Sequence, residues 1–261
     1  MGKAMTVLQR MLGNTGIAVS TIGLGTVKFG RNQEVKYPAN FAIPEDAQIK
    51  SLLDLTRDLG INLLDTAPAY GSSEQRLGRL LQDRQDRVLC TKVGEEFLNG
   101  KSVYDFSHDH VLMSINRSLR YLATDYLDIV LIHSDGRDEF ILENSGCVAA
   151  LRKLKEDGKI RAIGMSTKTV AGGLKALELL DVVMVTYNPS LPDDLKVIQR
   201  ATELNKGVLI KKALNSGHDC VNGSPEDNLR FALAPEGVSS VIVGTINAGH
   251  LKANAAAVAN I

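Results

Sequence analysis

Four residues whose types and places could do chemistry are Asp65, Tyr70, Lys92 and His133. Three of them end an apolar run abruptly: "INLLD" stops at Asp65, "RVLCTK" at Lys92 and "LDIVLIH" at His133. Tyr70 follows Asp65 by five positions, in "DTAPAYG". Together they make sense as a proton-delivery device. A phenol with a pKa of about 10 is a poor acid–base group at neutral pH and needs tuning. A nearby ammonium favours the phenolate, so Lys92 is expected to lower the pKa of Tyr70, with Asp65 holding the lysine charged and oriented. His133 would hydrogen-bond a substrate oxygen and orient it. Such a group suits protonating a carbonyl oxygen as a hydride arrives at carbon. The hydride must come from a cofactor, because no side chain supplies one.

Each residue also has an ordinary reading. Asp65 would cap a helix, and Tyr70 would pack half-buried. Lys92 would send its head to solvent, and His133 would be a structural histidine. A strand-end lysine can also be an amine nucleophile, as in Schiff-base chemistry. An adjacent aspartate weakens that reading, since a charged, paired lysine attacks poorly. Three of them at strand ends, with Tyr70 on the loop after one of those ends, together favour the proton-delivery reading.

The elements that must position them recur along the chain. Eight short apolar runs, "STIGLGT", "INLLDT", "RVLCTK", "LDIVLIH", "IRAIGMS", "DVVMVTY", "GVLIKK" and "SSVIVGT", each precede a helical pattern. The helices are expected at 46–59, 73–81, 108–122, 146–157, 169–180, 192–204, 224–233 and 248–258. The runs are continuously apolar rather than alternating, as in a parallel sheet covered on both faces. Eight strands and eight helices in alternation, with no Gly/Ser-rich or proline-rich divider, predict one (β/α)8 TIM barrel over residues 1–261. An open doubly wound sheet would leave two edges to manage. "QRMLGNTGIAVS" has the turn chemistry of a hairpin at 13–16, expected to cap the barrel bottom. In such a barrel the strand ends face the active-site mouth, which places Thr26, Asp65, Lys92, His133, Ser166, Tyr187, Lys211 and Thr245 there. The stretch after Gly94, "EEFLNGKSVYDFS", is a long connection at the same end.

Bulk properties exclude several classes. Of 261 residues 44% are hydrophobic, and 30 Lys plus Arg balance 30 Asp plus Glu, so no net field favours nucleic acid or an anionic membrane. Cys90, Cys147 and Cys220 lie far apart, with neither metal-ligand nor disulfide-framework spacing, which fits a reducing cytosol. The N-terminal stretch has no secretory pattern and no run is long enough to span a bilayer, so a cytoplasmic protein is expected. No metal cluster, nucleophile elbow or Walker loop is present, and "GLGT" lacks the third glycine of a dinucleotide fingerprint.

With those residues in view, the chain resembles the aldo-keto reductase family over nearly its whole length. The resemblance rests on "INLLDTAPAYGSSEQRLGRLL", "LCTKVG", "YLDIVLIHSDG", "GKIRAIGMST" and "KALNSG". It implies a (β/α)8 barrel that uses NADPH, sometimes NADH, to reduce small-molecule aldehydes and ketones. It also implies Tyr70 as general acid, Lys92 and Asp65 as the tuning pair, and His133 as the orienting residue.

The resemblance further implies cofactor contacts from Gly25, Thr26, Ser166, Thr167, Met184, Lys211, Lys212, Ala213, Leu214, Ser216, Gly244, Thr245, His250 and Asn254. Here the sequence departs from the family pattern. Thr167 replaces an asparagine and Met184 a glutamine, and Lys211 stands where a stacking tyrosine is usual. Gly244 and His250 stand where a lysine and an arginine usually meet the adenosine 2′-phosphate. A neutral histidine lacks the bidentate, permanent charge of arginine, so NADH use is expected beside NADPH. These departures leave a second reading open, a nucleotide-binding regulatory or redox-sensing barrel with little turnover. With the chain ending at Ile261, soon after the eighth helix, the substrate pocket is expected to be open and walled by Val27, Phe29 and Phe97.

Overall fold

The computed structural model describes residues 6–217, 224–259 and 261. Cys220 and the middle of the loop after "KALNSG" lie outside the described residues. Eight parallel strands close into a barrel. In barrel order they are β3 (Ile22–Gly25), β4 (Leu63–Asp65), β5 (Val88–Val93), β8 (Leu127–His133), β9 (Ile160–Ser166), β10 (Val182–Thr186), β11 (Gly207–Lys211) and β12 (Val238–Val243). The helices between them are α1 (Asp46–Asp58), α2 (Ser73–Leu80), α3 (His108–Tyr121), α4 (Asp138–Asn144), α5 (Cys147–Glu156), α6 (Val170–Leu179), α7 (Leu195–Glu203), α8 (Pro225–Leu233) and α9 (Ala248–Val258). The expected (β/α)8 barrel is therefore the fold, and seven of its helices end within a few residues of the expected positions while α9 matches.

The strand period of two divides the core. Leu64, Leu89, Val130, Ile132, Ile163, Val183, Val185, Ile210 and Val241 face outward and pack against the helical layer. Leu63, Cys90, Leu131, Ala162, Met184 and Leu209 face inward and form a separate interior cluster. This parity explains the site. Counting on by twos along the inward set reaches Asp65, Lys92, His133 and Lys211 at the mouth.

Parity also corrects two expectations. Tyr187 falls on the outward set and stacks on Phe231 of α8, with ring centroids 4.9 Å apart. Thr186 lines the mouth instead. Thr26 likewise turns outward and is fully buried, its hydroxyl donating to the Asp65 carbonyl at 2.9 Å.

A hairpin of β1 (Gln9–Met11) and β2 (Ala18–Ser20) closes the opposite end. Its Leu12, Ile17 and Val19 join the interior cluster. Its tip presses on the start of β11: a Cβ added to Gly13, whose φ is +53°, would lie 2.5 Å from the Gly207 nitrogen. Only glycine fits there.

Two elements go beyond strict alternation. Between β8 and α5 lies the extra helix α4. The long connection after Gly94 is a second hairpin, β6 (Glu95–Leu98) and β7 (Lys101–Tyr104). Its two-residue turn is Asn99-Gly100, both with positive φ, a strong hairpin signal that the sequence carries openly. No helix among the described residues is long and apolar enough to cross a membrane.

Candidate active site

A cavity of about 1290 Å³ opens at the strand ends. Asp65, Tyr70, Lys92 and His133 all line it. Asp65 ends β4, and the short turn Pro68–Tyr70 carries the phenol back over the mouth. Lys92 is 2% exposed, with its ammonium donating to Asp65 Oδ1 at 2.6 Å and to the Thr66 carbonyl at 2.9 Å. The same ammonium lies 4.8 Å from the centroid of the Tyr70 ring. His133 meets Tyr70 edge-on, with ring centroids 6.1 Å apart.

The electrostatics correct one expectation. Tyr70 is not tuned downward: burial pushes its pKa up to about 12, and the opposing pull of Lys92 offsets only part of that. Lys92 moves the other way. Burial works against its charge, but Asp65 and Tyr70 outweigh it and raise its pKa above the ordinary lysine value.

His133 has a partner that the sequence reading missed. Its Nδ1 lies 2.9 Å from Oε2 of Glu95, the first residue of β6. Gly94, at φ +100°, turns the chain so sharply after β5 that Glu95 comes back over the mouth. A Cβ at Gly94 would meet the Phe106 ring at 2.2 Å. Glu95 Oε1 also accepts from Ser102 Oγ at 2.6 Å and lies 3.5 Å from an Arg31 guanidinium nitrogen. Burial alone would raise the Glu95 pKa, but His133, Ser102 and Arg31 together lower it to about 2. Arg31 in turn donates to the Ala69 carbonyl, next to Tyr70, at 3.1 Å.

The other side of the cavity is lined by Gly25, Ser166, Thr167, Met184, Lys211, Lys212, Ala213, Leu214, Ser216, Gly244, Thr245, His250 and Asn254. Lys211 bends onto the end of β9, donating to Ser166 Oγ at 2.8 Å and the Thr167 carbonyl at 2.6 Å. Burial, then repulsion from Lys212, brings its pKa down to about 7. Two further residues unseen in the sequence hold these loops. Asp138 of α4 accepts the Lys168 and Thr169 backbone N–H groups at 2.9 and 2.8 Å. Asn188 donates to the Lys212 carbonyl at 2.8 Å. Tyr37, on the loop after β3, also lines the cavity, and a Cβ on Gly244 would lie 2.8 Å from its hydroxyl.

Of the expected pocket wall, Val27 lines the cavity. Phe29 does not: the short turn Val27–Phe29 drives it into the helical layer, fully buried. Phe97 lies outside the lining, its ring 3.8 Å beneath the Arg31 guanidinium.

These features fit a nicotinamide dinucleotide. The cavity exceeds the roughly 300–1,000 Å³ of a drug-sized site. The Thr167 hydroxyl is buried with no hydrogen-bond partner, an open position beside Ser166 for a ligand amide. Cationic Lys211 and Lys212 suit the phosphates. Among the described residues no cluster of His, Cys, Asp or Glu could hold a metal ion.

Comparison with known proteins agrees with that chemistry. Residues 21–225 match the model of the aldo/keto reductase family. The chain is 29% identical to L-galactose dehydrogenase of Arabidopsis thaliana, over 97% of this chain and 88% of that protein. It is 31% identical to the NADH-specific methylglyoxal reductase of Escherichia coli, over 76% of this chain and 68% of that protein. The solved structure of a putative aldo-keto reductase from Pseudomonas aeruginosa superposes with a TM-score of 0.90 at 48% identity, covering 99% of this chain and 96% of the other.

Proposed function

The chain belongs to the aldo/keto reductase family, and from that premise we propose that it interconverts a small aldehyde or ketone and its alcohol, using a nicotinamide cofactor. The observation that carries the reading is the Lys92–Asp65 pair buried against Tyr70, with His133 across from it at the head of the cavity. A bound reduced nicotinamide supplies hydride from its C4. Tyr70 supplies the proton. With its pKa near 12 the phenol is fully protonated at neutral pH, ready to donate to a carbonyl oxygen as negative charge develops there. The Lys92 ammonium then stabilises the phenolate left behind, and Asp65 keeps that ammonium charged. His133 orients the substrate oxygen.

NADPH is the cofactor the family resemblance favours. Gly244 and exposed His250 offer its 2′-phosphate no guanidinium, so NADH serves as well. The names of the relatives, one a dehydrogenase and one an NADH-specific reductase, support turnover in both directions and the use of NADH. The test is titration with NADPH and then NADH, following reduced-nicotinamide fluorescence, with an aldehyde added to the complex. Binding with turnover that Tyr70→Phe abolishes supports the assignment. Binding without turnover turns the protein into a nucleotide-sensing barrel. No binding of either nucleotide at millimolar concentration sinks both readings.

A further inference from the structure

Lys211 is placed for chemistry that the proposed reduction does not use. It ends β11 on the inward set, lines the cavity and is half-buried, so a small molecule there can reach its head. Its nitrogen touches two neutral groups, Ser166 Oγ at 2.8 Å and the Thr167 carbonyl at 2.6 Å. An uncharged amine has two hydrogens and one lone pair. With both hydrogens given to those acceptors at the end of β9, the lone pair is left on the side that borders the cavity. Lys92 is the contrast within the same molecule. Its head contacts the Asp65 carboxylate at 2.6 Å, the residue is 2% exposed, and the ammonium has no lone pair to offer.

The charges around Lys211 favour the uncharged amine. Burial acts first, then repulsion from Lys212 beside it, and Lys92 on β5 adds a weaker repulsion. Asp138 of α4 and Asp194 ahead of α7 pull the other way without outweighing burial. His133, at the end of β8, is a ring whose own burial lowers its pKa, so it adds no charge at neutral pH. The balance brings the Lys211 pKa down to about 7. About half of the molecules then carry a free amine at neutral pH, against a very small fraction for an ordinary lysine.

We propose that Lys211 is a covalent aldehyde-capture site: with the nucleotide absent, its amine condenses with an aldehyde in the cavity to form an imine. The amine lone pair forms the C–N bond as the carbonyl π pair moves to oxygen. The carbinolamine then loses that oxygen as water, which carries off both amine hydrogens, and the C=N bond closes. Nothing is oxidised or reduced, and water reverses the step. The consequence for turnover rests on the reading of the protein as a nicotinamide-dependent oxidoreductase. An imine at Lys211 lies on the side proposed for the dinucleotide's phosphates, so aldehyde that arrives first excludes the nucleotide. Phosphate that arrives first holds Lys211 as the ammonium and prevents capture. Excess aldehyde then inhibits its own reduction, in competition with the nucleotide.

The test equilibrates the wild-type protein with a low concentration of p-nitrobenzaldehyde and no nucleotide, then quenches with sodium borohydride, which fixes any imine as a stable amine. Mass spectrometry of the digest should find about tenfold more adduct on Lys211 than on Lys92, Lys168 or Lys212 at pH 7. The fraction trapped at Lys211 should rise about tenfold from pH 6 to pH 8 and then level off, whereas an ordinary lysine keeps climbing about tenfold per pH unit. Lys211→Arg, a cation that is never uncharged in this range, should lose the adduct. Adduct concentrated on Lys168 or Lys212, a fraction at Lys211 that keeps climbing past pH 9, or undiminished capture by Lys211→Arg would overturn the proposal. Saturating NAD+ added before the aldehyde should cut capture at Lys211 about tenfold. Capture that NAD+ leaves unchanged sinks the competition and counts against the nicotinamide reading, while the covalent site stands. Binding of NAD+ with no adduct on Lys211 sinks the site and leaves that reading intact.

Discussion

Lys92 and Lys211 pose the same physical problem in two halves of one cavity, and the structure solves it in opposite ways. Both project inward at the mouth, from β5 and β11, and burial penalises both charges. Lys92 touches a carboxylate, Asp65, at 2.6 Å, and its proton is held more tightly than in an ordinary lysine. Lys211 touches a hydroxyl and a carbonyl, both neutral, while its largest charged influence is the like charge of Lys212. Asp138 and Asp194 act only from a distance, and the pKa falls to about 7. Two good neutral acceptors do not replace one contacting carboxylate. One lysine holds its proton in spite of burial; the other is a cation short of an anion, on the side proposed for a dinucleotide's phosphates.

The sharpest way to break this contrast is Lys92→Met. It strands Asp65 as an unpaired buried charge, so a loss of about 3–5 kcal/mol in stability is expected by urea denaturation. Carbonyl reduction should fall by about 10²–10⁴ in kcat, because Tyr70 loses the charge that stabilises its phenolate. A variant that keeps its stability would show that the pair is worth little.

Lys211→Met should do the reverse to stability. The unfolded chain keeps this lysine's proton up to its ordinary value of 10.5, whereas the folded protein releases it near 7. Between those values the unfolded state binds more protons, so wild-type stability gains with rising pH, and below 7 the buried charge carries its full penalty. The variant is therefore expected to raise Tm more at pH 6 than at pH 9. It should also lose the wild-type decline in nucleotide affinity as pH passes about 7, with affinity at low pH falling about tenfold. An unchanged pH dependence would place the nucleotide phosphates away from Lys211.

The smallest effect is expected of His250→Arg, on an exposed position of α9. A guanidinium there should improve NADPH affinity about tenfold, or about 1.4 kcal/mol, and leave NADH binding alone. Equal gains for both nucleotides would locate the 2′-phosphate elsewhere.

The strands were legible because eight apolar runs stop at polar residues, and inward parity then brings Asp65, Lys92 and His133 to one rim. What the runs did not reveal was side. Thr26 and Tyr187 lie one residue off the inward set, and Phe29 sits on a turn whose direction no periodicity marks. Glu95 was hidden for a related reason: its placement depends on the sharp reversal at Gly94, and it read as one acid in a polar loop. The Asn99-Gly100 turn was the available clue to that hairpin. The tuning of Tyr70 was misjudged because neighbouring residue types announce a charge, whereas depth of burial, the larger influence here, belongs to the assembled fold.

Leu12, Ile17 and Val19 give the molecule one last property. They extend the interior stack that runs up through Cys90 and Leu131 to Met184, on the cavity lining. The barrel is thus a flask with a stoppered base, and its large cavity opens at the neck. Substrate, cofactor and protons share that doorway. Ligands seated there cover the Asp65–Lys92–Tyr70 group, which lies in the lining of that same opening.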